Sequence, residues 1–437
     1  MGQFMSSIKS ISTMRTYKQK FFIPALIILL YAGFIGCSSQ GNKNSFEVKQ
    51  VIGGHSLGSY GYDKAFLQEQ NIDFIELSDS NGRARILLAP GYQGRVMTST
   101  ADGDAGYSYG WLNYRLLGSK EVNPQFNPVG GEERFWLGPE GGPFSIYFNQ
   151  GEEQIYDNWV VPPVIDTEEY TVDERTDERV VFSKSTKLSN SSGFQFDLGI
   201  QRIVSLLPSD SLCSFLNADI PTDLFGVVAY ESINTITNKG TEAWRKETGL
   251  LSIWMLSMFN PSESTTVFIP FDLKSDGVVV NDEYFGKVPA ERLIVDQGMI
   301  YFKIDGKFRS KIGVPPGRAT ELSGSYDSEK NLLTLVWCNL PKEKVSYVNS
   351  QWGEQEDPYS GDVINAYNDG PVEDGSIMGP FYEIETSSPA ADLEPGESIT
   401  HIQRIVHIQG DELDMAKLMS ELLHINLYSL KSKFPAI

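Results

Sequence analysis

Tyr382-Glu383-Ile384-Glu385-Thr386, then Ser387-Ser388-Pro389, then Leu393-Glu394-Pro395-Gly396-Glu397-Ser398, running on through His401 to His407, is the stretch from which the architecture is read. Residues 382–386 alternate, a Pro/Gly-containing turn follows, and 398–407 resume as a long strand. Side chains two apart on a strand share a face. Glu383 and Glu385 therefore point the same way, and two carboxylates on one face raise each other's affinity for protons. Such a pair suits a base working near neutral pH, and it equally suits a solvated outer face.

The same grammar recurs outward along the chain. Further strands are expected at 73–77, 84–89, 144–148, 180–184, 194–206, 225–237, 250–258, 265–269, 299–304 and 331–337, with Gly, Pro, Asn and Asp between them. Many short strands separated by turns predict an all-β sandwich or barrel. One helix is expected at 412–423, capped by Asp411, with Leu413, Ala416, Leu418, Met419, Leu422 and Leu423 as its apolar stripe. A shorter helix is expected near 219–224. No internal repeat or Pro/Gly/Ser-rich linker divides the chain, which predicts one domain over 51–437.

The first 50 residues read differently. Lys9, Arg15, Lys18 and Lys20 precede an apolar run over 21–35, which ends at Phe34-Ile35-Gly36-Cys37. That is the basic, apolar and small-residue succession of an export signal. The run is shorter than the roughly 20 residues of a membrane span, so a cleaved lipoprotein signal over 1–36 is favoured over an uncleaved anchor. Cys37 is then the lipidation site and 37–50 a polar tether. Acyl chains would hold the protein on a membrane. The expected location is the periplasmic face of the outer membrane of a diderm bacterium, with the outer surface left open.

Charge narrows the partners. The chain carries −21, and removing the four basic residues of 1–36 leaves −25. Nucleic-acid binding needs Lys and Arg on phosphates, so it is excluded as a main role. Anionic polysaccharide would be repelled unless a local basic pocket exists. Beyond Cys37 the thiols are Cys213 and Cys338, both in apolar, strand-like runs and expected to be free. No phosphate loop, paired-Cys zinc site, HExxH helix or G-x-S-x-G elbow is present.

Three segments together resemble the galactose mutarotase-like (aldose 1-epimerase-like) superfamily. They are Leu88-Ala89-Pro90-Gly91-Tyr92-Gln93-Gly94-Arg95-Val96, then Gly130-Gly131-Glu132-Glu133-Arg134-Phe135-Trp136-Leu137-Gly138-Pro139-Glu140-Gly141-Gly142, then the 383–398 stretch with His401. The likeness is greater to mutarotase-like bacterial lipoproteins than to the epimerases themselves. It implies a β-supersandwich with an open sugar-binding cleft. It also implies Glu385 as the catalytic base, with Glu383 beside it. The superfamily's acid is a histidine, which would fall between the Gly130 motif and residue 207. None occurs there, and Asp157, Asn158 and Trp159 stand near the place of one branch's motif. The histidines beyond residue 37 are His55, His401, His407 and His424.

Other residues suit binding. Arg134, Trp136 and Glu140 lie in a Gly/Pro-rich segment of loop character, and Arg95 could donate paired hydrogen bonds. The polar and aromatic stretch 352–370 contains Trp352, Gln355, Glu356, Asp357, Tyr359, Asp362, Asn365, Tyr367, Asn368 and Asp369. From it, Trp352, Asp362 and Asn365 are expected at a sugar. The stretch could instead hold Ca²⁺, although it lacks EF-hand spacing, or form a long structural loop. No other cofactor is expected. Three readings stay open: a lipid-anchored carbohydrate binder without ordinary mutarotase catalysis, an epimerase or other sugar-active enzyme using a Glu base, and a structural envelope protein.

Overall fold

The computed structural model describes residues 46–434 except 217, 219, 373 and 374. The export signal, Cys37 and the tether up to residue 45 therefore lie outside the described residues.

Two large antiparallel sheets dominate. One has ten strands, in the order Leu293–Asp296, Met299–Lys303, Thr265–Pro270, Leu322–Asp327, Leu332–Cys338, Ser398–Gly410, Phe225–Asn238, Gln195–Leu206, Arg179–Ser189, Thr171–Arg175. The other has eight, in the order Ser310–Val314, Ile364–Asn368, Tyr382–Ser387, Ser252–Phe259, Glu133–Gly138, Arg95–Thr100, Arg85–Ala89, Ile75–Ser78. The strand Phe225–Asn238 and the expected last strand, observed as Ser398–Gly410, pair from Phe225↔Gly410 to Thr237↔Ser398. The all-β class with a helix at the C-terminal end is what the strand and stripe patterns predict.

Period-2 alternation explains how the sheets meet. Phe135, Leu137, Ile253, Met255 and Ile384 leave one face of the eight-stranded sheet. They join Ile200, Val204, Ile236, Val336 and Ile405 of the ten-stranded sheet in one core. Polar residues that cross this core bond across it from one sheet to the other. Glu133 pairs with Arg202 and accepts from Ser232 Oγ and Gln403 Nε2, each at 2.9 Å. His401 Nε2 lies 2.7 Å from Thr386 Oγ1, and His407 Nε2 lies 3.0 Å from Glu132 Oε1.

Helices cover the outer faces unequally. The helix Glu412–Leu423 puts Met415, Leu418 and Met419 against Val406, Ile408 and Leu333 of the ten-stranded sheet. Leu413, expected in that stripe, is exposed. On the eight-stranded sheet, the helix Tyr60–Glu69 brings Phe66 and Leu67 onto Leu87, Ala89 and Met97. It covers only the end of that sheet that includes Arg85–Ala89 and Arg95–Thr100. The other end of the same outer face is left for a cleft.

Four expectations need correction. Residues 144–148 turn instead of forming a strand: the Ser145 hydroxyl bonds the Glu140 carbonyl, and the Tyr147 hydroxyl donates to the Leu137 carbonyl at 2.8 Å. The short helix is Ser209–Leu216, upstream of 219–224, which makes Cys213 helical. Leu212, Phe215 and Leu216 recur at helical spacing and face the sheet. Glu133–Gly138 is an interior strand of its sheet, not a loop, and 352–370 contains the strand Ile364–Asn368.

Candidate functional site

The uncovered outer face carries rows of side chains set by strand register. One row runs Arg134, Leu256, Glu385, Asn365 across four strands. The next runs Met258, Glu383, Tyr367, Lys311. Trp136 and Trp254 are direct partners in a third. Parity therefore sends Arg134 and Trp136 outward while Glu133, Phe135 and Leu137 go into the core.

The charges pair diagonally between rows. Arg134 Nη2 donates to Glu383 Oε1. Lys311 Nζ donates to Glu385 Oε2 at 2.8 Å, and Trp254 Nε1 donates to the same oxygen at 2.9 Å. The Lys311 ammonium also lies 4.9 Å from the Trp254 ring centroid and 5.4 Å from that of Tyr284. Arg134 packs its guanidinium 5.0 Å from the Trp136 ring centroid.

Several polar atoms at this floor are buried and have no protein partner: Glu385 Oε1, Arg134 Nε and Nη1, and Trp136 Nε1. Buried polar atoms are almost always satisfied, so a group of orphans in one place marks a site where something else supplies the bonds.

Above the floor lies a cavity of about 720 Å³. Aromatic rings make up much of its walls: Trp159, Trp352 and Tyr156 near Trp136, and Tyr284, Phe285, Tyr367 and Phe381 toward Lys311. Trp159 is the hub of the first group, stacked with Tyr147, Tyr156 and Trp352 at ring separations of 6.0, 6.0 and 6.1 Å. Apolar walls with a few fixed polar groups are the usual make-up of a small-molecule site.

Protonation differs among the carboxyls. Burial pushes Glu383 up; Arg134 opposes this and the neighbouring Glu385 adds to it. Glu140, on the wall, is raised to about 7 by burial, against the pull of Lys311 and the indoles of Trp352 and Trp159. His401, held neutral in the core, is pushed down to about 3 by burial.

Glu383, Glu385, Arg134, Trp136, Glu140 and Trp352 all line the cavity. Three other expected binding residues do not. Arg95 is buried under the Gly130-Gly131 turn, donating to the Gly130 carbonyl at 2.7 Å and to Gln93 Oε1 at 2.9 Å. Its side chain occupies the place a Cβ on Gly131 would take, 2.4 Å from Cδ, and Gly131 has φ +111°. Asp362 accepts from the Tyr284 hydroxyl at 2.5 Å, and Asn365 Nδ2 lies 3.1 Å from that hydroxyl. They position a ring of the wall instead of reaching the cavity. Asp357 accepts from the Tyr359 amide at 2.8 Å, and Asp369 accepts from the Tyr367 hydroxyl and the Gly379 amide, each at 2.8 Å. Among the described residues no group of three or more His, Cys, Asp or Glu is placed to hold a metal ion. Cys37 lies outside the described residues.

Among the described residues no histidine lines the cleft. His401 and His407 sit between the sheets, on the opposite face of the eight-stranded sheet from Glu385. Residues not anticipated from sequence include Lys311, Trp254, Tyr284, Phe285, Arg309 and Tyr156. The available signal was parity: Arg309 and Lys311 share a face at the start of Ser310–Val314, and Trp254 shares one with Leu256.

The chain belongs to DUF6786, a family of unknown function, whose model matches residues 58–434. It has no significant match among curated proteins. Among solved structures it is similar to a galactose mutarotase-like protein from Lactobacillus casei ATCC 334 (12% identity, TM-score 0.42, covering 77% of this chain and 99% of that one). It is also similar to a galactose mutarotase related enzyme from Lactobacillus acidophilus (8% identity, TM-score 0.43, covering 77% and 97%). A third is a protein of Synechocystis sp. PCC 6803 (14% identity, TM-score 0.46, covering 78% and 96%).

Proposed function

We propose that the cleft binds carbohydrate, and that a lipid on Cys37 holds the protein at the bacterial envelope where it meets glycans. One observation carries the binding reading: the orphaned polar atoms of Glu385, Arg134 and Trp136 form the floor of an aromatic-walled cavity. Sugars suit that combination. Their C–H faces stack on rings and their hydroxyls supply both donors and acceptors. A purely structural protein would fill this space with its own side chains.

Ordinary mutarotation by a Glu–His pair is not the proposed activity, because the cleft contains no histidine. A second, catalytic reading rests on a separate observation. Glu385 is tied to Lys311, while Glu140 and Glu383 near it hold protons more tightly than ordinary carboxylates. Environments that separate carboxyl groups in this way suit acid–base work.

The test is nuclear magnetic resonance of the detergent-solubilised full-length protein with freshly dissolved sugars. Line broadening of sugar signals without faster anomer exchange is expected. Sharp, unchanged signals across the panel would refute the binding reading. Accelerated exchange would move the assignment to the catalytic one.

A further inference from the structure

Resting on the carbohydrate reading, we propose that the ligand is an oligosaccharide of several units, lying across the cleft from one aromatic lip to the other. The two lips stand beside strands three positions apart in the sheet, a span wider than one sugar ring.

The first lip lies beside the strand Glu133–Gly138. Tyr156 stands there 62% exposed and Trp352 37% exposed, both stacked on Trp159. The second lies beside the strand Ile364–Asn368. Phe285, 49% exposed, packs edge-on against Tyr367 with ring centroids 5.9 Å apart, and Met378 is 40% exposed. The strands Ser252–Phe259 and Tyr382–Ser387 separate these two supports. Three spacings of about 4.8 Å place the two supporting strands on the order of 14 Å apart. That exceeds the width of a single pyranose ring. The cavity volume of about 720 Å³ lies well up the roughly 300–1,000 Å³ range of drug-sized sites.

Exposed apolar rings gathered around one cleft, unlike single ones scattered over a surface, mark a place that a ligand covers. These rings are also braced. The Arg309 guanidinium lies 4.3 Å from the Phe285 ring centroid, and Tyr156 rests 6.0 Å from Trp159. Braced platforms lose little freedom when a ligand lands on them. An internal or branching unit at the Glu385 floor, with flanking units on Tyr156 and Phe285, would cover both lips.

The experiment is calorimetric titration of the full-length protein in detergent micelles with neutral glucose, galactose and mannose oligomers of one to four units, in α and β linkages. Affinity is expected to rise at least tenfold from one unit to three in at least one series. Tyr156→Ala and Phe285→Ala should each lower the ratio of tetrasaccharide to monosaccharide affinity five- to tenfold. Equal affinity at every length, or an unchanged ratio in both variants, would overturn the oligosaccharide proposal while leaving the sugar-binding cleft standing. Absence of binding at every length would overturn both.

Discussion

Lys311 and Glu385 are bonded at 2.8 Å although register places Lys311 in the row of Glu383. Arg134, in the row of Glu385, reaches Glu383 in turn. The two ion pairs reach the strand Tyr382–Ser387 from opposite sides, so each carboxylate has one cation and the pair is neutralised from both flanks. Both pairs are nearly or fully buried, where breaking a pair leaves an uncompensated charge.

Lys311→Met should therefore destabilise the protein by about 3 kcal/mol, in the range seen for stranded buried charges. The double variant Lys311→Met with Glu385→Gln should recover a large part of that loss, since no charge is then stranded. Denaturant unfolding of the single and double variants measures both. Additive losses would show that the two side chains do not act as a pair.

At the floor, Trp136→Ala removes an aromatic face and the support for the Arg134 guanidinium. Arg134→Ala removes the donors and strands Glu383. Each should weaken sugar binding about tenfold, near 1.4 kcal/mol. Glu385→Gln keeps size and most hydrogen bonding but removes a base. It should spare binding and abolish any anomer exchange. Exchange that survived Glu385→Gln would disprove Glu385 as the base.

Much of this site was legible because strands repeat every two residues. Glu383 and Glu385 could be put on one face from Tyr382-Glu383-Ile384-Glu385-Thr386 alone. Lys311 could not be placed, because a lone lysine in a short alternating strand reads as solvated and its partner lies 74 residues away. The Glu133–Gly138 strand was hidden by its own ions. Glu133 belongs in the core only because Arg202 meets it from the other sheet, a contact no local pattern carries. The helix Tyr60–Glu69 was missed for the opposite reason. Its Tyr and Gly residues are weak helix formers. Ser59 caps it, accepting from the Tyr62 amide, and the bare Gly61 lets the His55 ring come close. The stripe expected over Glu412–Leu423 departs from the structure at its edges: Leu413 is exposed, Met415 is buried, and Asp411 stands at the N-cap without a side-chain capping bond, because a 3.6-residue period specifies a face but not its edges.

That helix supplies a test of docking. Leu418 is buried against the ten-stranded sheet, so Leu418→Asp would place a charge in an apolar contact. A loss of roughly 3 kcal/mol is expected, read as a lower melting temperature, whereas Leu413→Asp at the exposed position should change little. Equal effects at the two positions would contradict the observed face.

The proposed anchor is tested through its acceptor. Cys37→Ser should abolish incorporation of a clickable fatty acid and leave an unprocessed, mislocalised precursor. Equal labelling of wild type and variant would reject Cys37 as the lipid site.

The raised carboxyl of Glu140 predicts a pH dependence with a defined sign. Its folded value of about 7 exceeds its ordinary 4.5, so the folded state holds the proton more tightly than the unfolded state. The stability contributed by that proton is complete below pH 4.5 and is lost as pH rises through 7. Gln mimics the protonated acid and cannot ionise. Glu140→Gln should therefore match wild type near pH 4.5, gain on it through pH 7, and stay ahead above that by roughly 2 kcal/mol at most, since Glu140 is partly open to water. Taking the difference between the two proteins cancels His401, whose depressed value costs stability as pH falls below 6.5. Melting temperatures across pH 4 to 9 give the comparison. A wild-type-to-variant difference that does not change with pH would mean that Glu140 ionises normally and is not available as a proton donor in the cleft.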